Sequence, residues 1–105
     1  MPLFFFWMAE YLLELRLVPL TPELLELIPD HRTHINDLFE EGVLQSYSVS
    51  ASRDNIWCVI EAESPTEAQG LIELMPLYPA MESVQCTLLL FHQEGPAALP
   101  SIGLN

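Results

Sequence analysis

The sequence predicts an α+β domain whose elements run strand, helix, strand, strand, helix, strand. Three observations carry that expectation. A long opening run keeps one parity apolar from Leu3 to Leu17, two helical stripes each begin at a hydroxyl residue followed by proline, and two strand-like runs meet at the polar turn Arg53-Asp54-Asn55.

The opening run places Leu3, Phe5, Trp7, Ala9, Tyr11, Leu13, Leu15 and Leu17 on one face of a strand, the face expected to lie under the helices. Its other parity reads Phe4, Phe6 and Met8, then Glu10, Leu12, Glu14 and Arg16, so the reverse face starts apolar and becomes charged. Thr21-Pro22-Glu23 opens the first helix with a capping hydroxyl, a proline suited to the first turn and a carboxylate near the positive end of the helix dipole. Leu24, Leu27, Ile28, Ile35, Leu38 and Phe39 share its inward face, and Gly42 stops it. Pro29 either kinks this helix or divides it into two short helices.

Val43 to Ser52 and Ile56 to Ala62 form the expected hairpin. Ser64-Pro65-Thr66-Glu67 is a capping box for the second helix, which turns Ala68, Leu71, Ile72 and Met75 inward. Two prolines in Met75-Pro76-Leu77-Tyr78-Pro79 end it, and a last strand is expected from about Ser83 to His92. This order gives a four-stranded antiparallel sheet with the first and third strands central and both helices on one face, a ferredoxin-like βαββαβ arrangement. Residues 1–93 are assigned to that domain and 94–105 to a C-terminal tail.

Of the 105 residues, 50% are hydrophobic and 17% charged, which leaves more apolar surface than one small domain hides and points to a second copy over the bare face bearing Phe4, Phe6 and Met8. Fifteen acidic residues oppose Arg16, Arg32 and Arg53, with no lysine, for a net charge of −12. That sign argues against nucleic acid and against anionic membranes as partners. Glu10, Glu14 and Arg16 interrupt the opening run, which argues against a membrane span or signal peptide. Cys58 and Cys86 fall on strands flanking the first, roughly 9–10 Å apart, too far for a disulfide, and free buried thiols place the chain in a reducing cytoplasm.

Leu74-Met75-Pro76-Leu77-Tyr78-Pro79-Ala80-Met81 resembles the Leu-Pro-Leu-Phe-Pro-Tyr-Met segment of the muconolactone isomerase-like group within the dimeric α+β barrel superfamily, and Glu41-Gly42 and Ser64-Pro65 fit the same pattern. A second resemblance is to the YCII-like proteins, which carry a helix histidine eleven residues before a glycine, as His31 stands before Gly42; their later Asp-Pro is replaced here by Tyr78-Pro79. The resemblance implies a homodimer or larger homo-oligomer acting as a cofactor-free, proton-shuttling isomerase of a small lactone or organic acid. The alternative is a relative that keeps only the fold as a non-catalytic ligand-binding or assembly module.

His31 sits between Ile28 and Ile35 on the apolar stripe, facing the sheet, and an imidazole there is the candidate proton carrier, with His34 beside it. Arg32 or Arg53 is a candidate clamp for a carboxylate, while Tyr47, Trp57 and Tyr78 supply aromatic walls for a planar ligand. His31-x-x-His34 with His92 or Asp37 is the alternative, metal-binding reading. No phosphate loop or nucleophile elbow appears, so no cofactor is assigned.

Overall fold

The computed structural model describes residues 8–93. It shows a four-stranded antiparallel sheet, order β2-β3-β1-β4, formed by β1 (Ala9–Leu17), β2 (Leu44–Val49), β3 (Asn55–Ala62) and β4 (Met81–Leu88). The helices α2 (Ile28–Glu40) and α3 (Pro65–Glu73) cover one face. The fold is therefore ferredoxin-like α+β. Phe4, Phe6 and the tail from residue 94 lie outside the described residues.

Alternation in β1 sets the core. Tyr11, Leu13, Leu15 and Leu17 are buried, and they face Ile56, Cys58 and Ile60 of β3 and Ala68 and Ile72 of α3 within one hydrophobic cluster. Cys58 and Cys86 pair with Leu13 from opposite sides, so a whole strand separates them and both are free thiols.

The first helical segment is two helices. A short α1 (Pro22–Leu25) opens at Thr21, whose hydroxyl accepts the Leu24 N–H at 3.3 Å, and the chain restarts at Ile28 with Pro29 in the first turn of α2. That position needs no intrahelical N–H, so the break falls just before the proline. At the far end Gly42 takes φ +78°, and the Gly42 and Val43 N–H groups bond to Phe39 and Leu38 carbonyls, closing α2 with a Schellman motif. Phe39 is 41% exposed, at the edge of the stripe expected to point inward.

Ser64 caps α3 by accepting the Glu67 N–H at 3.1 Å, and the Glu67 carboxylate reaches back to the Glu63 N–H at 2.8 Å. After α3, a 3-10 turn at Tyr78–Ala80 leads directly into β4, which starts two residues earlier and ends four residues earlier than the Ser83–His92 run expected from the sequence. On the face without helices, Trp57 and Met8 are 38% and 37% exposed, while Val59 is buried. Among the described residues no helix is long and apolar enough to cross a membrane.

Candidate functional site

The strand β2 carries one irregularity that matters for the site. Leu44 pairs with Ile60 and Ser46 with Val59, so Gln45 is an extra residue on the β2 side. The bulge brings Leu44 and Tyr47 to the same helix-covered face, although they are an odd number of residues apart. Tyr47, opposite the inward Cys58, therefore points under α2.

His31, on the first turn of α2, meets it there. Its Nε2 lies 2.7 Å from the Tyr47 hydroxyl, and the Leu77 N–H donates to its Nδ1 over a long 3.4 Å. The Pro76-Leu77-Tyr78 segment thus supplies the backbone donor that holds the far side of the ring. His31 is only 4% exposed, and burial, with a smaller repulsion from His34, lowers its pKa to about 4. The imidazole is neutral at physiological pH. Burial, together with the neighbouring Cys58, pushes the Tyr47 phenol well above its usual value, so it keeps its proton.

Beside this pair opens a cleft of about 630 Å³ between α2 and the β2–β3 hairpin. One stripe of α2, Ile28, Arg32, Ile35, Asn36 and Phe39, forms one wall; Tyr47, Val49, Arg53 and Ile56 form the other; Leu17, Leu20, Leu25 and Leu77 close the ends. Leu25, Phe39 and Val49 are among the exposed large hydrophobic residues, so the mouth is apolar. Among the described residues no carboxylate lines it.

Two of the chain's three arginines are in that lining. Arg16 is taken up by an ion pair with Glu82 at 3.7 Å, whereas neither Arg32 nor Arg53 pairs with a carboxylate among the described residues. Arg53 is held by its turn. It has φ +64°, its N–H donates to the Ser50 carbonyl at 2.9 Å, and the next residue, Asp54, accepts the Ser50 and Ser52 hydroxyls at 2.9 and 2.6 Å. Those hydroxyls, that of Ser52 foremost, lower the Asp54 pKa. A second cleft of about 560 Å³ adjoins the first, sharing Leu17, Leu20, Leu25 and Arg53.

The structure gathers His31, Arg32, Arg53 and Tyr47 at one cleft and leaves three expected site residues elsewhere. His34 is a half-buried neighbour of His31 on α2 that does not line it. Trp57, between the inward Ile56 and Cys58, stands on the opposite face of the sheet because strand side chains alternate. Tyr78 is on the 3-10 turn, more than a third exposed and outside the cleft; its backbone neighbour Leu77 makes the contact to His31. Asn36, four residues after Arg32, was not singled out from the sequence, although its helical spacing marks it. Among the described residues no three His, Cys, Asp or Glu side chains group as metal ligands.

No known protein-family profile matches the sequence, and no curated protein does. Solved structures do match. The 5-chloro-2-hydroxyhydroquinone dehydrochlorinase of Burkholderia phenoliruptrix AC1100, in complex with 2,5-dihydroxybenzoquinone, is similar over 82% of this chain and 95% of its own, with 16% identity and a TM-score of 0.55. A Chloroflexus aurantiacus protein assigned by name to the antibiotic biosynthesis monooxygenases is similar over 83% of this chain and 97% of its own, with 15% identity and a TM-score of 0.39. At 16% identity the likeness to the dehydrochlorinase is one of ferredoxin-like α+β fold.

Proposed function

We propose that the protein binds a small organic acid or lactone in the cleft between α2 and the β2–β3 hairpin, with Arg32 and Arg53 holding the anionic group. The observation that carries this reading is the fate of the arginines. In a chain of net charge −12, two of three guanidinium groups line one apolar cleft free of carboxylates and are themselves unpaired with acids among the described residues. The apolar walls, with Phe39 and Tyr47 among them, suit a small unsaturated or aromatic body. The fold's similarity to an enzyme solved with a dihydroxybenzoquinone supports a planar ligand of this size.

Calorimetric titration with a panel of aryl and alkenyl carboxylates tests the proposal. Micromolar to millimolar binding that disappears for the corresponding amides is the expected result; equal binding of acid and amide would remove the anion clamp.

A catalytic form of this reading is a cofactor-free isomerase in which His31 carries the proton, as the resemblance to muconolactone isomerases implies. His31 is neutral at physiological pH, and with its ring nitrogens facing the Leu77 N–H and the Tyr47 hydroxyl it would move that proton through Tyr47. Deuterium uptake from solvent into a bound acid, abolished in His31→Gln, is the measurement; a ligand that binds without exchange leaves the non-catalytic reading. We further propose that a second copy covers the sheet face bearing Trp57 and Met8; the exposure of both and the apolar composition support it.

A further inference from the structure

The contacts around His31 fix more than its position. The Leu77 backbone N–H can only donate, and it donates to Nδ1. A nitrogen accepting that bond carries no proton, so the neutral ring carries its single proton on Nε2, the nitrogen 2.7 Å from Tyr47 Oη. Nε2–H therefore donates to the phenol oxygen, and the phenol keeps its own hydrogen for another acceptor. Tyr47 lines the cleft, and among the described residues its hydroxyl makes no hydrogen bond other than the one it receives from His31 Nε2.

We infer that Tyr47 is the hydrogen-bond donor that meets the ligand and that His31 is a positioning residue behind it, both of its nitrogens being engaged. The site then selects acids that also carry a carbonyl or enolate oxygen: the carboxylate goes to Arg32 and Arg53, the second oxygen to the Tyr47 hydroxyl, and the carbon skeleton between the apolar walls of Ile28 and Ile35 on one side and Val49 on the other. The ligand class is an oxo acid or a lactone that bears a carboxylate, rather than any organic anion. The donated hydrogen bond falls in a half-buried site, where an acid lacking the carbonyl leaves the phenol hydrogen unmatched and loses affinity. This inference rests on the reading that the cleft holds an organic acid.

Two measurements test it. Titration compares 4-oxo-4-phenylbutanoate with 4-phenylbutanoate, which differ by the one carbonyl. The wild-type protein is expected to prefer the oxo acid by five- to tenfold, and Tyr47→Phe, with no phenol hydrogen to match, to bind the two within twofold of each other. Equal affinities in the wild type, or a preference that survives in Tyr47→Phe, overturn the selectivity but leave the anion clamp standing. Binding of neither acid overturns the clamp and this inference together. The second measurement needs no ligand: nitrogen-15 spectra of the imidazoles at neutral pH should show His31 Nδ1 unprotonated and Nε2 bearing the hydrogen. The opposite tautomer would make Tyr47 the donor to His31, with no hydrogen left for a ligand, and would overturn the inference whatever binds.

Discussion

The His31 Nε2 and the Tyr47 hydroxyl lie 2.7 Å apart across the gap between α2 and β2, joining a buried, neutral imidazole to a protonated phenol. This contact ties α2 to the hairpin at the wall of the cleft, and the Leu77 N–H bond to the other ring nitrogen requires His31 to remain uncharged.

Stability should therefore depend on His31 below neutral pH. In the unfolded chain the imidazole takes a proton near pH 6.5, while in the folded chain it resists until about pH 4, so the unfolded state binds more protons between those values. The contribution is complete above pH 6.5 and is lost as the pH falls to 4. The whole displacement would correspond to about 3 kcal/mol, which solvent at the cleft reduces to about 1–2 kcal/mol. Denaturant melts of wild type and His31→Gln at pH 7 and pH 4.5 measure it; a difference between them that does not change with pH contradicts the assignment.

Arg32→Gln and Arg53→Gln should each weaken binding of 4-phenylbutanoate about tenfold, the loss of one charge-assisted hydrogen bond of roughly 1.5 kcal/mol. Arg16→Gln should not, since that side chain pairs with Glu82. Isothermal titration of the three variants separates a clamp from a general effect of net charge, for which all three would lose alike.

Two glycines should answer oppositely to alanine. Gly42 sits at φ +78° in the motif that closes α2, and Gly42→Ala should cost about 1–2 kcal/mol. Gly70 lies inside α3 with open space where a Cβ would stand, and Gly70→Ala should stabilise by about 0.5–1 kcal/mol. Thermal melts of both variants measure the signs, and a stabilised Gly42→Ala would show that the turn closing α2 is not as described.

Light scattering at micromolar concentration should find a dimer or larger oligomer. Trp57→Glu, on the sheet face away from the helices, should shift it toward monomer without disturbing the cleft. A wild-type protein that is monomeric throughout would leave the exposed Trp57 face without the partner proposed for it.

Much of the fold was legible because it rests on local chemistry. The parity of Tyr11 to Leu17, the caps at Thr21 and Ser64, and the glycine stop at Gly42 each act within a few residues, and all appear in the structure. His31 was legible as well, since helical period alone turns it toward the sheet with Ile35 and Leu38. Trp57 could have been placed on the outer face by the alternation of Ile56, Trp57 and Cys58.

What the sequence by itself determined is the order of elements, their caps and the inward faces of β1, α2 and α3, because these follow from periodicities of two and 3.6 residues. Only the tertiary structure decided what His31 touches. The extra residue Gln45 reverses the parity of β2 and so chooses the face of Tyr47, and the Leu77 N–H arrives from forty-six residues away along the chain. Bulges and long-range backbone contacts leave no period in the sequence; they are set by how the sheet and helices pack, and they define the site.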